Sequence, residues 1–360
     1  MGTKYEDGAK KVPQGDAMKN TMLRLEQIIP EGMQDFKVRY NILQTILCNE
    51  PIGRRLLAGL TTYSERTIRA ATDLLNKQGL IEVGHTGMVV TTSGKELLDE
   101  LYGLLQELNA FSTLEEELQT LIGAKKVIIV PGDVDQDDNV KWLLGKAGSN
   151  LVMDLMREDN VIAITGGSTI AKMVELMPTK QSGPTYTTII PARGSVGERM
   201  EYQANILAAE FAKKINGKYE VLNIPDNLSA NSIETIKQEP HIQKTLHKMA
   251  KSDMIILGLG DAMKMAKRRN ESPEVMALLE QKHAVAEAFR YYFDEKGQVI
   301  YSAANIGLDL DMVKHIPTRV VLAGGFSKAV ALFAAKDLLE GSYLVVDEGA
   351  AKRMIEVSIR

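Results

Sequence analysis

Apolar residues recur at helical spacing through the first third of the chain and then give way to near-continuous apolar runs. Phe36, Tyr40, Leu43 and Leu47 mark one helix, which Pro51 and Gly53 stop. RRLLAGL, over 54–60, reads as a short second helix. Ser64 caps a third, SERTIRAATDLLNKQ, whose inward stripe is Ile68, Ala71, Leu74 and Leu75 and whose terminator is Gly79. LIEVG and MVVTT follow, separated by a turn at His85, Thr86 and Gly87, and read as a two-stranded hairpin. Helix, helix, turn, helix, hairpin is the order of a winged helix-turn-helix. Another helix, KELLDELYGLLQELNAF, opens at Ser93, Gly94 and Lys95 with leucines at near-heptad spacing. It reads either as a linker helix that pairs with a second subunit or as a helix packed on its own domain.

From Val127 onward the apolar runs KKVIIV, NVIAIT, TTIIPA, YEVLNI, DMIILGLG, TRVVLAG and SYLVVD alternate with helical patterns. Strands without polar alternation are buried on both faces, so an α/β, doubly wound parallel sheet is predicted. The expected organisation is a tag or disordered tail over 1–21, a winged helix-turn-helix over 22–92, a linker helix over 93–112 and the α/β domain over 113–360.

Composition narrows the class. The chain has 360 residues, 44% hydrophobic and 25% charged, which suits two globular domains and excludes a fibrous or wholly disordered protein. No stretch reaches the roughly 20 apolar residues of a membrane span, and the first residues lack a signal-peptide core. A single cysteine, Cys48, permits no internal disulfide. A cytoplasmic protein without membrane contact is expected.

The net charge of −4 gives no whole-chain sign of nucleic acid. Between Asp35 and Val90, however, seven basic residues face five acidic ones. In a winged helix the third helix enters the major groove, which would place Ser64, Glu65, Arg66, Thr67 and Arg69 at base edges. Arg54 and Arg55, opening the second helix, suit phosphate contacts. Winged helices also serve as protein-interaction modules, and that alternative stays open on the residues alone.

In an open α/β sheet the ligand lies at the carboxyl ends of the strands. Two of these ends look alike. One runs through Thr165, Gly166, Gly167, Ser168 and Thr169 into a helix, and the other through Gly324, Gly325, Phe326, Ser327 and Lys328. Paired glycines admit an anion close to the backbone, and N–H groups at a helix start point toward it. Arg193, in IIPARGSVGE, adds a planar fork for phosphate oxygens. Gln203 and Asn205 in EYQAN could bond hydroxyls. Together these imply a small ligand with more than one anionic group, such as a sugar bisphosphate.

Rival chemistries fare worse. GLGDAM lacks the rest of a dinucleotide fingerprint, no P-loop is present, and the five histidines show no zinc pairing. Asp133, Asp135, Asp137 and Asp138 could hold a cation but read better as a solvated loop. Glu287 stands amid apolar residues as a base, a hydroxyl acceptor or a buried partner of an arginine. The alternative to a binding domain is a sugar-phosphate isomerase or deaminase with an accessory winged helix, for which Glu287 is the one obvious base.

The winged helix followed by TGGST, PARG, YQAN, DAMKMAKRRN, AEAFRYYF, AGGFSK and VVDEGAA resembles the glycolytic-gene regulators of the SorC/DeoR family of bacterial repressors. The resemblance covers most of the chain after Met22. It implies a non-enzymatic, homo-oligomeric repressor that binds operator DNA and has an effector domain of the sugar-phosphate isomerase/deaminase fold. It further implies fructose 1,6-bisphosphate as the effector, with no cofactor or metal. By the same resemblance, the ligand-binding positions are Gly167, Ser168, Thr169, Arg193, Gln203, Glu287, Ser327 and Lys328. TGGST carries a serine where the family pattern has threonine, which keeps a hydroxyl. Phe326 stands where a small polar residue is usual, so a side-chain bond from that position is not expected. Asp347 fits a helix cap better than a ligand contact.

Overall fold

The computed structural model describes residues 24–359 except 26, 109–110, 181–182, 184, 195–199 and 225–227, and the side chains of 103–108 and 230 are not described. The tail over 1–21 lies outside the described residues. The chain forms two compact units, Met1–Ala110 and Phe111–Arg360.

In the first unit, helix α1 (Pro30–Asn49) is followed by α2 (Arg54–Leu60) and α3 (Glu65–Lys77). Ser64 caps α3 by accepting the Thr67 N–H at 3.1 Å. Ile68, Ala71, Thr72 and Leu75 of α3 are buried, whereas Leu74 is only half-buried. Strands β1 (Ile81–Gly84) and β2 (Gly87–Val90) pair antiparallel, and Met88 also bridges to Ile52. A Cβ at Gly87 would lie 2.8 Å from the Ile52 backbone, and its φ of +140° favours glycine, so this glycine permits the contact that ties the hairpin to the helices. One core, from Tyr40, Ile42 and Ile46 through Ile68 and Leu75 to Met88 and Leu98, joins these elements. Helix α4 (Thr92–Leu108) ends the unit.

The second unit opens with α5 (Ser112–Ile122). The helix expected over 93–112 corresponds to α4, which ends at Leu108, and α5 falls almost wholly within the span expected for the α/β domain. The leucines of α4 beyond Tyr102 lie outside the described side chains.

Among the described residues, seven parallel strands build the main sheet: β3 (Lys126–Val130), β4 (Val161–Ile164), β5 (Thr188–Pro191), β6 (Lys218–Tyr219), β7 (Met254–Leu257), β12 (Thr318–Ala323) and β13 (Tyr343–Asp347). Their order is β3-β13-β12-β7-β4-β5-β6. Every residue of β5 and β7 is buried, as strands covered by helices on both faces require. The helices include α6 (Val140–Leu155), α7 (Ser168–Glu175) and α8 (Ala204–Lys214), with α6 packed on α7. After β4 the chain winds outward to β5 and β6. It then returns to β7 on the other side of β4 and winds the opposite way, so the crevice between β4 and β7 is the point where winding reverses.

Two features depart from the sequence expectation. YEVLNI contributes only its first residue to β6, because the Asn205 side chain captures the backbone beyond it: its amide oxygen accepts the Leu222 N–H at 2.9 Å and its NH2 donates to the Leu222 carbonyl at 3.1 Å. Asn205 is thereby committed to structure rather than to a ligand hydroxyl. In addition, a small antiparallel sheet of β8 (Gly260–Asp261), β9 (Ala286–Ala288), β10 (Tyr291–Phe293) and β11 (Val299–Ser302) stands beside the main one.

Candidate functional site

A cavity of about 180 Å³ opens at the carboxyl ends of β4, β5, β7 and β12. It brings together Gly166, Gly167, Ser168, Thr169, Arg193, Glu287 and Lys328 from the positions singled out in the sequence. It also gathers residues that sequence reasoning did not assign, chiefly Asp261, Lys264, Arg268, Arg269 and Phe289. Five cationic side chains thus meet two carboxylates at the point where ligands of open α/β sheets bind, so an anionic ligand is favoured. The signal for the missed cations was DAMKMAKRRN itself: it follows a strand end, and Lys264 and Arg268 are one helical turn apart.

The first glycine turn is shaped by close approach. A Cβ at Gly166 would lie 2.3 Å from the Tyr202 carbonyl, and that carbonyl accepts the Gly167 N–H at 2.9 Å. Gly167 has φ +129° and precedes α7, whose first N–H groups have no partners within the helix. The hydroxyls of Ser168 and Thr169 stand at the same helix start, on the cavity wall. Gln203 immediately precedes α8, next to this segment, and does not line the cavity. Arg268 lies 5.7 Å from the Tyr202 ring centroid, which fixes it at the rim.

Glu287 is a buried partner of an arginine. Arg269 grips it with two N–H groups at 2.6 and 3.1 Å, with both side chains under 5% exposed, and the Arg290 backbone N–H donates to it at 2.6 Å. Burial alone would raise its pKa. The Arg269 and Arg193 guanidinium groups overcome that and hold the carboxyl below its ordinary value. With both oxygens engaged by Arg269 and one of them also by the Arg290 N–H, Glu287 serves as a structural anion, which counts against it as the base of isomerase chemistry.

The turn that follows is strained. Phe289 and Arg290 have φ of +52° and +68°, values that tight hairpin turns normally give to glycine or asparagine. Asn305 holds the Phe289 carbonyl at 3.0 Å, and Glu271 holds the Arg290 guanidinium at 2.9 Å. These bonds hold the strained turn, and Phe289 lines the cavity wall.

The second glycine turn is arranged differently from the first. Gly324, Gly325, Phe326 and Ser327 do not line the cavity. The N–H groups of Gly325, Phe326 and Ser327 donate to Asp347, Asp133 and Asp135 at 2.7, 3.0 and 2.7 Å. The acidic run is therefore a clamp on this turn rather than a wholly solvated loop, and among the described residues no cluster suited to a metal ion is found. The Phe326 ring faces away, 5.1 Å from the Arg353 guanidinium. Ser327 touches the cavity rim through Lys264, which donates to its hydroxyl at 3.2 Å. Asp347 caps the Glu348–Ser358 helix through the Ala350 N–H at 2.9 Å. Burial lowers the Lys328 pKa, while Asp135 and Asp347 pull it back up.

In the first unit, Arg66 and Arg69 are exposed on α3, with Ser64 and Glu65 at its start, while Thr67 is half-buried. Arg55 is exposed on α2. Arg54 instead pairs with Asp73 and donates to the Thr72 hydroxyl at 3.1 Å, which pins α2 to α3.

Two family models match this chain, the CggR N-terminal DNA binding domain over residues 36–105 and a sugar-binding domain over 106–356. The Central glycolytic genes regulators of Priestia megaterium and Bacillus subtilis are each 36% identical over 330 residues. These alignments cover 91% and 92% of this chain, and 96% and 97% of the relatives. The chain belongs to the central glycolytic genes regulator family. A SorC family regulator from Enterococcus faecalis superposes with a TM-score of 0.63 at 36% identity, covering 68% of this chain and 99% of its own. The full-length sorbitol operon regulator of Klebsiella pneumoniae shares the fold, with a TM-score of 0.64 at 16% identity over 89% of this chain and 99% of its own. This family member is thus a DNA-binding, sugar-responsive transcription regulator rather than an enzyme. None of its described helices is long and apolar enough to cross a membrane.

Proposed function

We propose that this chain represses genes of glycolytic triose-phosphate interconversion and that fructose 1,6-bisphosphate, bound in the cavity of the second unit, relieves repression. The observation that carries the reading is the cavity's charge and chemistry: five cations and a glycine-hydroxyl helix start around a small volume suit a sugar carrying phosphate groups. The names of the Priestia megaterium and Bacillus subtilis relatives support glycolytic genes as the target. Arg66 and Arg69 of α3 read the operator, and Arg55 contacts its backbone.

The regulator acts as a homo-oligomer in this reading, which rests on the near-heptad leucine pattern in the sequence; of those leucines, Leu98 belongs to the unit's own core and Leu101 packs against it. Ligand and DNA are coupled only if the sugar phosphate binds the assembly's two states with different affinity.

The test is a selection of bound fragments from the source genome, with and without fructose 1,6-bisphosphate. Enrichment of a glycolytic-gene fragment that the bisphosphate releases supports the proposal. Retention of the same fragment at saturating bisphosphate contradicts it.

A further inference from the structure

The two glycine turns are alike in sequence and differ in what their backbone holds. No atom lies within 4 Å of where a Cβ at Gly167 would stand. A Cβ at Gly325 would stand 2.8 Å from the Asp135 carboxylate, and one at Gly324 would meet the Leu144 side chain at 2.5 Å and the Asp347 carboxylate at 2.8 Å. At the second turn, then, the missing side chains make room for the protein's own carboxylates. Three consecutive N–H groups, those of Gly325, Phe326 and Ser327, each have one as acceptor.

Two of the three carboxylates come from the loop between β3 and α6. That loop is itself ordered by short bonds: the Val134 N–H donates to Asp347 at 2.8 Å and the Asp135 N–H to Asp133 at 3.0 Å. Burial would raise the Asp135 pKa, but hydrogen bonds from Ser327 and then the charges of Lys264 and Lys328 hold it below its ordinary value. A carboxylate oxygen and a phosphate oxygen ask the same thing of such a turn, an N–H donor and a nearby positive charge.

We propose that the Asp133–Asp135 loop is an internal anion, holding the second turn until a phosphate group of the ligand displaces it. This rests on the sugar-bisphosphate reading and deepens it. A sugar with one phosphate settles at the first turn and leaves the loop seated. A bisphosphate reaches the second turn and expels Asp133 and Asp135, while Asp347 stays as the helix cap. The loop runs directly into α6, and α6 packs against α7, whose start carries the first turn. Expulsion therefore couples the two phosphate positions through one helix pair and makes the loop a discriminator between mono- and bisphosphates.

The experiment is calorimetric titration of the full chain with fructose 1,6-bisphosphate and fructose 6-phosphate, together with melting curves in inorganic phosphate. It compares wild type with Asp135→Asn and with Asp138→Asn. Asp138 removes the same charge from the same loop but pairs on the surface with Lys141 at 2.6 Å. Asp135→Asn is expected to tighten the bisphosphate about tenfold, the scale of one charge-assisted hydrogen bond. It leaves fructose 6-phosphate unchanged and increases the stabilisation by inorganic phosphate, and Asp138→Asn does none of these.

Unchanged or weaker bisphosphate binding by Asp135→Asn overturns the proposal. Equal tightening of both sugars, or equal effects of the two variants, overturns it as well, since general electrostatics would then suffice. If the wild type binds neither sugar, the effector reading has failed. The loop is then judged by inorganic phosphate alone, and equal stabilisation of wild type and Asp135→Asn overturns it.

Discussion

Arg193 and Glu287 show how single residues divide the work of the site. Arg193 is 6% exposed at a strand end, a costly place for a guanidinium unless anions face it. Arg193→Ala is expected to weaken bisphosphate binding by roughly 10- to 100-fold, on the scale of about 1.5–3 kcal/mol for a hydrogen bond to a charged group. Operator binding should persist; calorimetry and DNA anisotropy check the two separately.

Glu287 has the opposite task of keeping Arg269 and the strained turn in place. Removing one partner of a buried pair costs roughly 3–5 kcal/mol, so Glu287→Gln should lower the urea midpoint markedly. Its pKa is depressed below the ordinary 4.5 in the folded chain. The stability it contributes is therefore complete above about that ordinary value and is lost as pH falls toward the depressed one. Urea midpoints between pH 6 and 3 should fall for wild type and change less for Glu287→Gln. Parallel decline of the two would contradict the assignment.

At the scale of elements, the two units differ in what holds them. In the DNA-binding unit the pin between α2 and α3 is Arg54 on Asp73, a largely exposed pair worth about 0–1 kcal/mol. Arg66→Ala should weaken operator binding and reduce its salt dependence without changing the melting temperature. Gly87→Ala should destabilise the unit by more than about 1 kcal/mol, because φ and the Ile52 backbone both oppose a side chain. A thermal melt separates the two variants.

The strands of the main sheet were readable because burial on both faces leaves an unbroken apolar run. YEVLNI misled because the competitor for its backbone, the Asn205 amide, lies on another element. The small antiparallel sheet was not readable, since strands of two to four residues leave no period to detect. Likewise, sequence displays the charge of Arg54 but not Asp73 nineteen residues on, and it displays AGGFSK but not the aspartates that fold back on it.

For the whole molecule, DNA recognition belongs to the unit with the winged helix and sugar binding to the unit whose winding reverses between β4 and β7. The sequence conveyed that division through strand-end motifs and the order of helices. The carboxylates that occupy the second glycine turn were hidden in long-range contacts.

The most direct test of the central claim is a thermal-shift series with fructose 1,6-bisphosphate, fructose 6-phosphate, glucose 6-phosphate and ribose 5-phosphate. A ligand that binds only the native state adds roughly 2.7 kcal/mol at a hundred times Kd, or about 5–10 °C for a unit of this size. The account predicts a shift of that order with the bisphosphate and much smaller ones with the monophosphates. Equal shifts with all four, or none with any, would contradict it.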